Sequence, residues 1–290
     1  MTRARYGSRR GMPWAVLLVC CGLGLASGCT GALQNLGARW ATHQISDVFD
    51  LDETQRDAAR AAVDRTMASA PEVLGPRIDL LVATVDRALC QGLNEPKTLV
   101  IERQIDVLLD KAAAWIIDEA APILATLDDA QIIHAQQALD ERLEETRDEL
   151  NAPAEERLAD RQDKFIDAIE EWAGRLSVEQ KAAIRAHVAA MPDEAAARLR
   201  ADERRLADLS DSLRARPGAP AVRVLLWNAW KSREDWGPHT RSPQTRRADG
   251  RKTLLFLYGL LDEKQKDHLS ARLHEMHDKV NRILGVAGAG

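Results

Sequence analysis

Beyond residue 45, apolar side chains return every three or four positions. Ile78, Leu81, Val82, Val85 and Leu89 form one stripe, and Ile101, Ile105, Leu108, Leu109, Ala112, Trp115 and Ile116 a second. Leu158, Phe165, Ile169 and Trp172 form a third. A helix of 3.6 residues per turn puts such positions on one face, so each stripe predicts an amphipathic helix packed on its neighbours. No segment alternates apolar and polar residues with period two, and Ala, Leu, Glu and Arg, all good helix formers, dominate. The expected fold is all-α, a multi-helix bundle without a sheet. Breaks are expected at Ala70-Pro71, Gly75-Pro76, Gly92 to Pro96, Asn151 to Pro153, Met191-Pro192 and Pro217 to Pro220. A longer polar stretch, 231–251, contains Gly237-Pro238, Ser242-Pro243 and Asp249-Gly250 and reads as an exposed loop.

Four helix starts share one pattern, Leu-[Asp/Ser]-x-x-Gln. It occurs at Leu51, Asp52 and Gln55, at Leu127, Asp128 and Gln131, at Leu176, Ser177 and Gln180, and at Leu261, Asp262 and Gln265. This is a capping box: the Asp or Ser oxygen accepts a first-turn N–H, and the glutamine reaches back to the cap amide. Acids at Glu53, Asp129, Glu179 and Glu263 suit the positive end of the helix dipole. The intervals between copies differ, so the motif marks a helix-start device used four times and not a solenoid repeat. It acts either as capping alone or as a set of helix starts lining one surface.

The N-terminus breaks the pattern. Four arginines and no acid precede Gly11, and a 12-residue apolar run, Trp14 to Leu25, follows. Crossing a bilayer takes about 20 residues, whereas this length suits a signal peptide. The sequence Leu25-Ala26-Ser27-Gly28-Cys29 resembles a bacterial lipobox, with the leucine one place early. The expected division is a lipoprotein signal peptide over 1–28, a lipidated tether over 29–45 and a helical domain over 46–290. Cys29 carries the lipid; an ordinary secretory signal or an uncleaved anchor are the alternatives. Ser8-Arg9-Arg10 invites a twin-arginine reading that the following residues do not support. Two or more acyl chains would hold such a protein firmly to a membrane. Thr30 after the cysteine favours the outer membrane over the inner by resemblance to Gram-negative lipoproteins, with the body facing the periplasm.

Losing four arginines and no acid would take the net charge from −5 to −9. So acidic a body argues against nucleic-acid binding, which needs a basic stripe. Cys20 and Cys21 would leave with the signal, so Cys90 would be the only cysteine besides the lipidated one. That excludes a disulfide framework within the chain, and Cys90, beside Leu89, is expected to be buried. Trp40 in the tether packs on the body or sits at the membrane interface.

His268, His274 and His277 lie near the C-terminus. His274 and His277 are three apart, which is not zincin spacing, but they share a helix face and are the candidate metal ligands if any metal is bound. Solvated surface is the simpler reading. No nucleophile elbow or phosphate-cradling glycine loop appears. No catalytic site and no cofactor beyond the covalent lipid are expected, and the surplus carboxylates read as solvated helix surface. Trp115 and Trp172 read as core. Trp227, Trp230 and Trp236 cluster ahead of the polar stretch, as core or as an apolar groove for a partner, and are the candidate partner surface.

The four boxes resemble the Leu-Thr-x-x-Gln boxes of small periplasmic proteins similar to Spy and CpxP, which are stress sensors or ATP-independent chaperones, although Asp or Ser replaces threonine here. A resemblance over nearly the whole chain is to an uncharacterised family of proteobacterial helical lipoproteins. It rests on the lipobox, the Trp-containing tether, the Phe-Asp-Leu-Asp-x-x-Gln start at 49–55, the central Leu-Ser-x-Glu-Gln box and the final Leu-Asp-x-x-Gln helix. That family carries no assigned activity; the leading expectation is a lipid-anchored envelope protein with a non-enzymatic, protein-binding role in stress sensing, chaperoning or assembly. A metal-dependent enzyme at His274 and His277, or a structural envelope scaffold, are the alternatives.

Overall fold

The structure, a computed structural model, describes residues 43–285. The expected signal segment over 1–28, which holds Cys20 and Cys21, lies outside the described residues, as do Cys29 and Trp40. A short helix, α1 (43–49), leads into α2 (Glu53–Cys90), α3 (Glu95–Leu124), α4 (Asp129–Asn151) and α5 (Ala154–Ala173). Then come α6 (Val178–Ala190), α7 (Ala195–Arg214), α8 (Ala219–Lys231), α9 (Pro243–Leu260) and α10 (Glu263–Leu284). The fold is all-α, with no strand among the described residues.

All four boxes close as capping boxes, starting α2, α4, α6 and α10. They also dock in reciprocal pairs. Gln55 Oε1 accepts the Asp52 N–H at 3.0 Å, while its Nε2 donates to Gln131 Oε1 at 3.1 Å and to the Thr126 carbonyl at 3.1 Å. Gln131 mirrors this, accepting from Asp128 N at 3.0 Å and donating to the Asp50 carbonyl at 2.9 Å. Gln180 and Gln265 repeat the arrangement: their amides bond each other, Gln180 donates to Leu260 O at 2.7 Å and Gln265 to Arg175 O at 2.9 Å. In every case the carbonyl reached is the one just before the partner box's leucine.

Each pair sits in its own core. Leu51 and Leu127 pack with Ala59, Ala121, Ile132, Leu213 and Val222. Leu176 and Leu261 pack with Ile166, Ala173, Ile184 and Val188. Paired leucines thus bury apolar surface at the point where two helix N-termini meet, while the glutamines satisfy the polar groups that this burial desolvates. Gly174, at φ +77°, makes the sharp turn from α5 into the third box, a backbone region that side chains disfavour.

Two expected breaks are absent: α2 runs unbroken through Pro71 and Pro76. Each proline removes one helical hydrogen bond, but the preceding residues, Ala70 and Gly75, are buried, and α2 makes its most extensive contact with α3. Close packing of these small residues offsets the lost bonds. At about 1.5 Å per residue, α2 is roughly 57 Å long. Its start lies in the first core, and α10 packs back along its far half through Ser270 on Asp86 and His277 on Asp79.

The exposed loop is shorter than the polar pattern suggested. Residues 243–251 are the first turns of α9, capped by Ser242, and the connection is 232–242. It is also pinned: Arg247 grips Glu234 through two bonds of 2.7 Å, Arg241 grips Glu194 at 2.7 Å, and Arg246 donates to the carbonyls of Glu234 and Arg241. Hydrogen bonds from Arg241 and Arg247 hold the Glu194 and Glu234 carboxyls below their usual pKa. A carboxylate with a lowered folded pKa contributes stability above its unfolded value, near 4.3, and loses it as pH falls through the folded value. Thermal stability should therefore hold from neutrality to about pH 5 and drop below about pH 4. In a Glu194→Gln/Glu234→Gln variant, followed by circular dichroism, that acid drop should be smaller and the stability at pH 7 lower.

Candidate functional site

A cleft of about 1000 Å³ opens beside the second core, at the far end of α2 from the first. Its long wall is α5, from Glu156 to Ala173, a span of about 25 Å along the helix axis. Phe165, Ala168, Ile169 and Trp172 line it at helical spacing, with Ala168 the one small side chain of the four. Leu254, Leu257 and Tyr258 of α9, with Leu261 and Leu269, form a second wall. The tip of the α2–α3 hairpin, through Leu89 and Leu93, and the end of α4, through Thr146, Glu149 and Leu150, close the rest. Tyr258 Oη donates to the Leu89 carbonyl at 3.0 Å and ties the α9 wall to that hairpin.

The cleft's cations have other work. Arg157 donates to the carbonyls of Ala152 at 2.9 Å and Leu150 at 3.3 Å, capping the end of α4, and reaches Asp193 at 3.4 Å. Arg161 caps α6 through the carbonyls of Val188 at 2.9 Å and Met191 at 3.2 Å. Lys164 lies 3.0 Å from both Glu149 and Asp160. Burial works against the Lys164 ammonium, but those two carboxylates outweigh it and raise its pKa. What the cleft offers a ligand is chiefly apolar surface.

Trp172 lies here, 36% exposed, and not in the core, because its face of α5 looks into the cleft. Trp115 is half-buried and bonds Ser69 at 3.2 Å. The tryptophans before the loop pack between helices and under cations. Trp230 is buried with Ala113 and Ile117, its Nε1 on Asp110 at 2.8 Å, and Arg233 stacks on its ring. Trp227 packs against the same cluster under Lys231, and Trp236 stacks with Arg246. These three therefore join α8 and the loop to the body.

His277 bonds Asp79 at 2.7 Å, while His274 bonds the Ser270 carbonyl at 2.9 Å and faces Asp86 at 3.7 Å. The two histidines reach different acids of α2, and among the described residues no three His, Cys, Asp or Glu side chains converge as a metal site. Cys90 is exposed at the end of α2, not buried, because the helix stops there and the chain turns away through Gly92. No helix among the described residues is long and apolar enough to cross a membrane.

Sequence reasoning identified every box but missed the pairing and the cleft. The helical offsets of Phe165, Ile169 and Trp172 are the same for a buried stripe and for a cleft wall. The small Ala168 among three large side chains was the available signal.

Fold and site together define an all-helical protein of two box-centred cores with an apolar cleft beside the second. The chain belongs to a family of unknown function, DUF6279, whose model matches residues 47–241. That span holds the first three boxes and the α5 wall; the fourth box and the α9 wall follow it. No curated protein and no solved structure matches the chain.

Proposed function

We propose that this protein is a lipid-anchored component of the cell envelope that works by binding, with a segment of a partner protein seated in the α5–α9 cleft. The observation that carries the reading is the cleft itself. It is at the upper end of the size range of small-molecule sites, has an apolar floor, and has its cations engaged in caps and ion pairs. Helical spacing along α5 and the small side chain at Ala168 suit a row of side chains from another chain. The lipobox-like segment ending at Cys29 supports the anchor, and Thr30 the outer membrane, facing the periplasm. Stress sensing, chaperoning and assembly are the roles that such a site serves.

Two measurements test the two halves of this reading. Metabolic palmitate labelling should mark the wild type and not Cys29→Ala, which should accumulate as precursor; an unlabelled wild type would refute the anchor. A photo-crosslinking residue at Ala168 should give a discrete protein adduct in intact cells, lost when Leu254 on the opposite wall becomes Asp. An identical adduct pattern from Glu141, on exposed α4 surface, would refute the cleft as the binding site.

A further inference from the structure

Resting on the reading of the cleft as a protein-binding site, we propose that its occupant is an amphipathic helix whose apolar stripe lies on α5 and whose flanking residues are basic. Length sets the first part. The α5 wall runs about 25 Å, which matches about 17 residues of helix. Phe165, Ala168, Ile169 and Trp172 stand at i, i+3, i+4 and i+7, so the wall presents a ridge with one small side chain, Ala168. A second helix packs into such a surface with its own three- and four-residue rows.

Charge sets the second part. Arg157, Arg161 and Lys164 are engaged by carbonyls or carboxylates, although the buried Nε groups of both arginines lack a partner. The lining sets four carboxylates (Glu149, Glu156, Asp160 and Asp193) against these three cations. Glu156 lines the cleft, is exposed and makes no ion pair among the described residues. Glu145, four residues before the lining Glu149, is exposed on α4 in the same way. The net charge of the lip is therefore negative. A phospholipid headgroup or fatty-acid carboxylate would meet repulsion there, whereas lysines or arginines beside an apolar stripe would find partners.

The test uses a 17-residue helical peptide of Leu and Lys, fluorescently labelled, and a twin with Glu at every Lys position. Binding to the soluble Cys29→Ala protein, made without its first 28 residues, is read by anisotropy. The Leu/Lys peptide should bind one to one and weaken with salt, with the Glu twin at least tenfold weaker. Glu145→Lys/Glu156→Lys should reverse that preference, whereas Asp57→Lys/Asp64→Lys, on exposed positions of α2 remote from the cleft, should not. If both peptides bind equally and Leu254→Asp abolishes both, the charge inference falls and the protein-binding reading stands. If neither peptide responds to Leu254→Asp while oleate binds and does respond, both fall in favour of a lipid site.

Discussion

Replacing Gln131 by alanine is expected to destabilise the protein by about 3 kcal/mol, far more than loss of an ordinary surface glutamine. Gln131 is 7% exposed, and its amide serves three groups: the Asp128 N–H, the Asp50 carbonyl and the Gln55 amide. Alanine leaves all three short of a partner next to the Leu51 and Leu127 core, where each unsatisfied polar group costs about 1–3 kcal/mol. Gln131→Glu separates the cap from the pair. A glutamate can still accept from Asp128, as in a common capping box, but it cannot donate to Asp50 O or Gln55 Oε1. It should be nearly as damaging as alanine. Urea denaturation of Gln55→Ala, Gln131→Ala and the double variant should give a coupling of about 1–3 kcal/mol, the double costing less than the sum. A Gln131→Glu variant as stable as wild type would show that only the cap matters.

Arg247→Ala should cost about 2–4 kcal/mol, near the lower end of the range for breaking a buried ion pair because its side chain is one-third exposed. Arg247 is a hub. It bonds both Glu234 oxygens, Asp106 at 2.5 Å and Glu102 at 3.4 Å, joining α9, the 232–242 connection and α3. Packing between α9 and α3 is otherwise modest, so this ionic joint carries much of the attachment. Removing it leaves three carboxylates facing one another, moderated by Arg251 on Glu102 and Arg233 near Glu234. Arg247→Lys keeps the charge but not the two-pronged geometry, and should recover no more than about half of the loss. An unchanged denaturation midpoint for Arg247→Ala would mean that solvent screens the whole cluster.

Much of this fold was legible because helical periodicity and capping are local. Asp52, Asp128, Ser177 and Asp262 are the N-caps that the motif marks, and the breaks at Gly92, Ala152, Met191 and Pro217 fall between helices. What escaped depends on neighbours remote in sequence. Pro71 and Pro76 are local breakers overruled by packing on α3. Trp230 and Trp172 look alike as apolar positions, yet one is buried against Ala113 and Ile117 and the other borders the cleft. The pairing of the boxes did leave a trace. Capping boxes accept Glu or Gln at the third position, but all four copies here hold Gln. After its oxygen has been used in the cap, glutamine keeps an NH₂ group to donate elsewhere, which glutamate lacks.

The unbroken length of α2 has a mechanical consequence for an anchored protein. Residue 53, near the tether, and Leu89, at the cleft, lie at opposite ends of a strut nearly twice as long as the hydrocarbon core of a bilayer is thick, about 30 Å. A lipid on Cys29 would add up to about 3.5 Å of reach for each tether residue. In a protein anchored at Cys29, the cleft would then lie up to the length of this strut beyond the tethered end of α2.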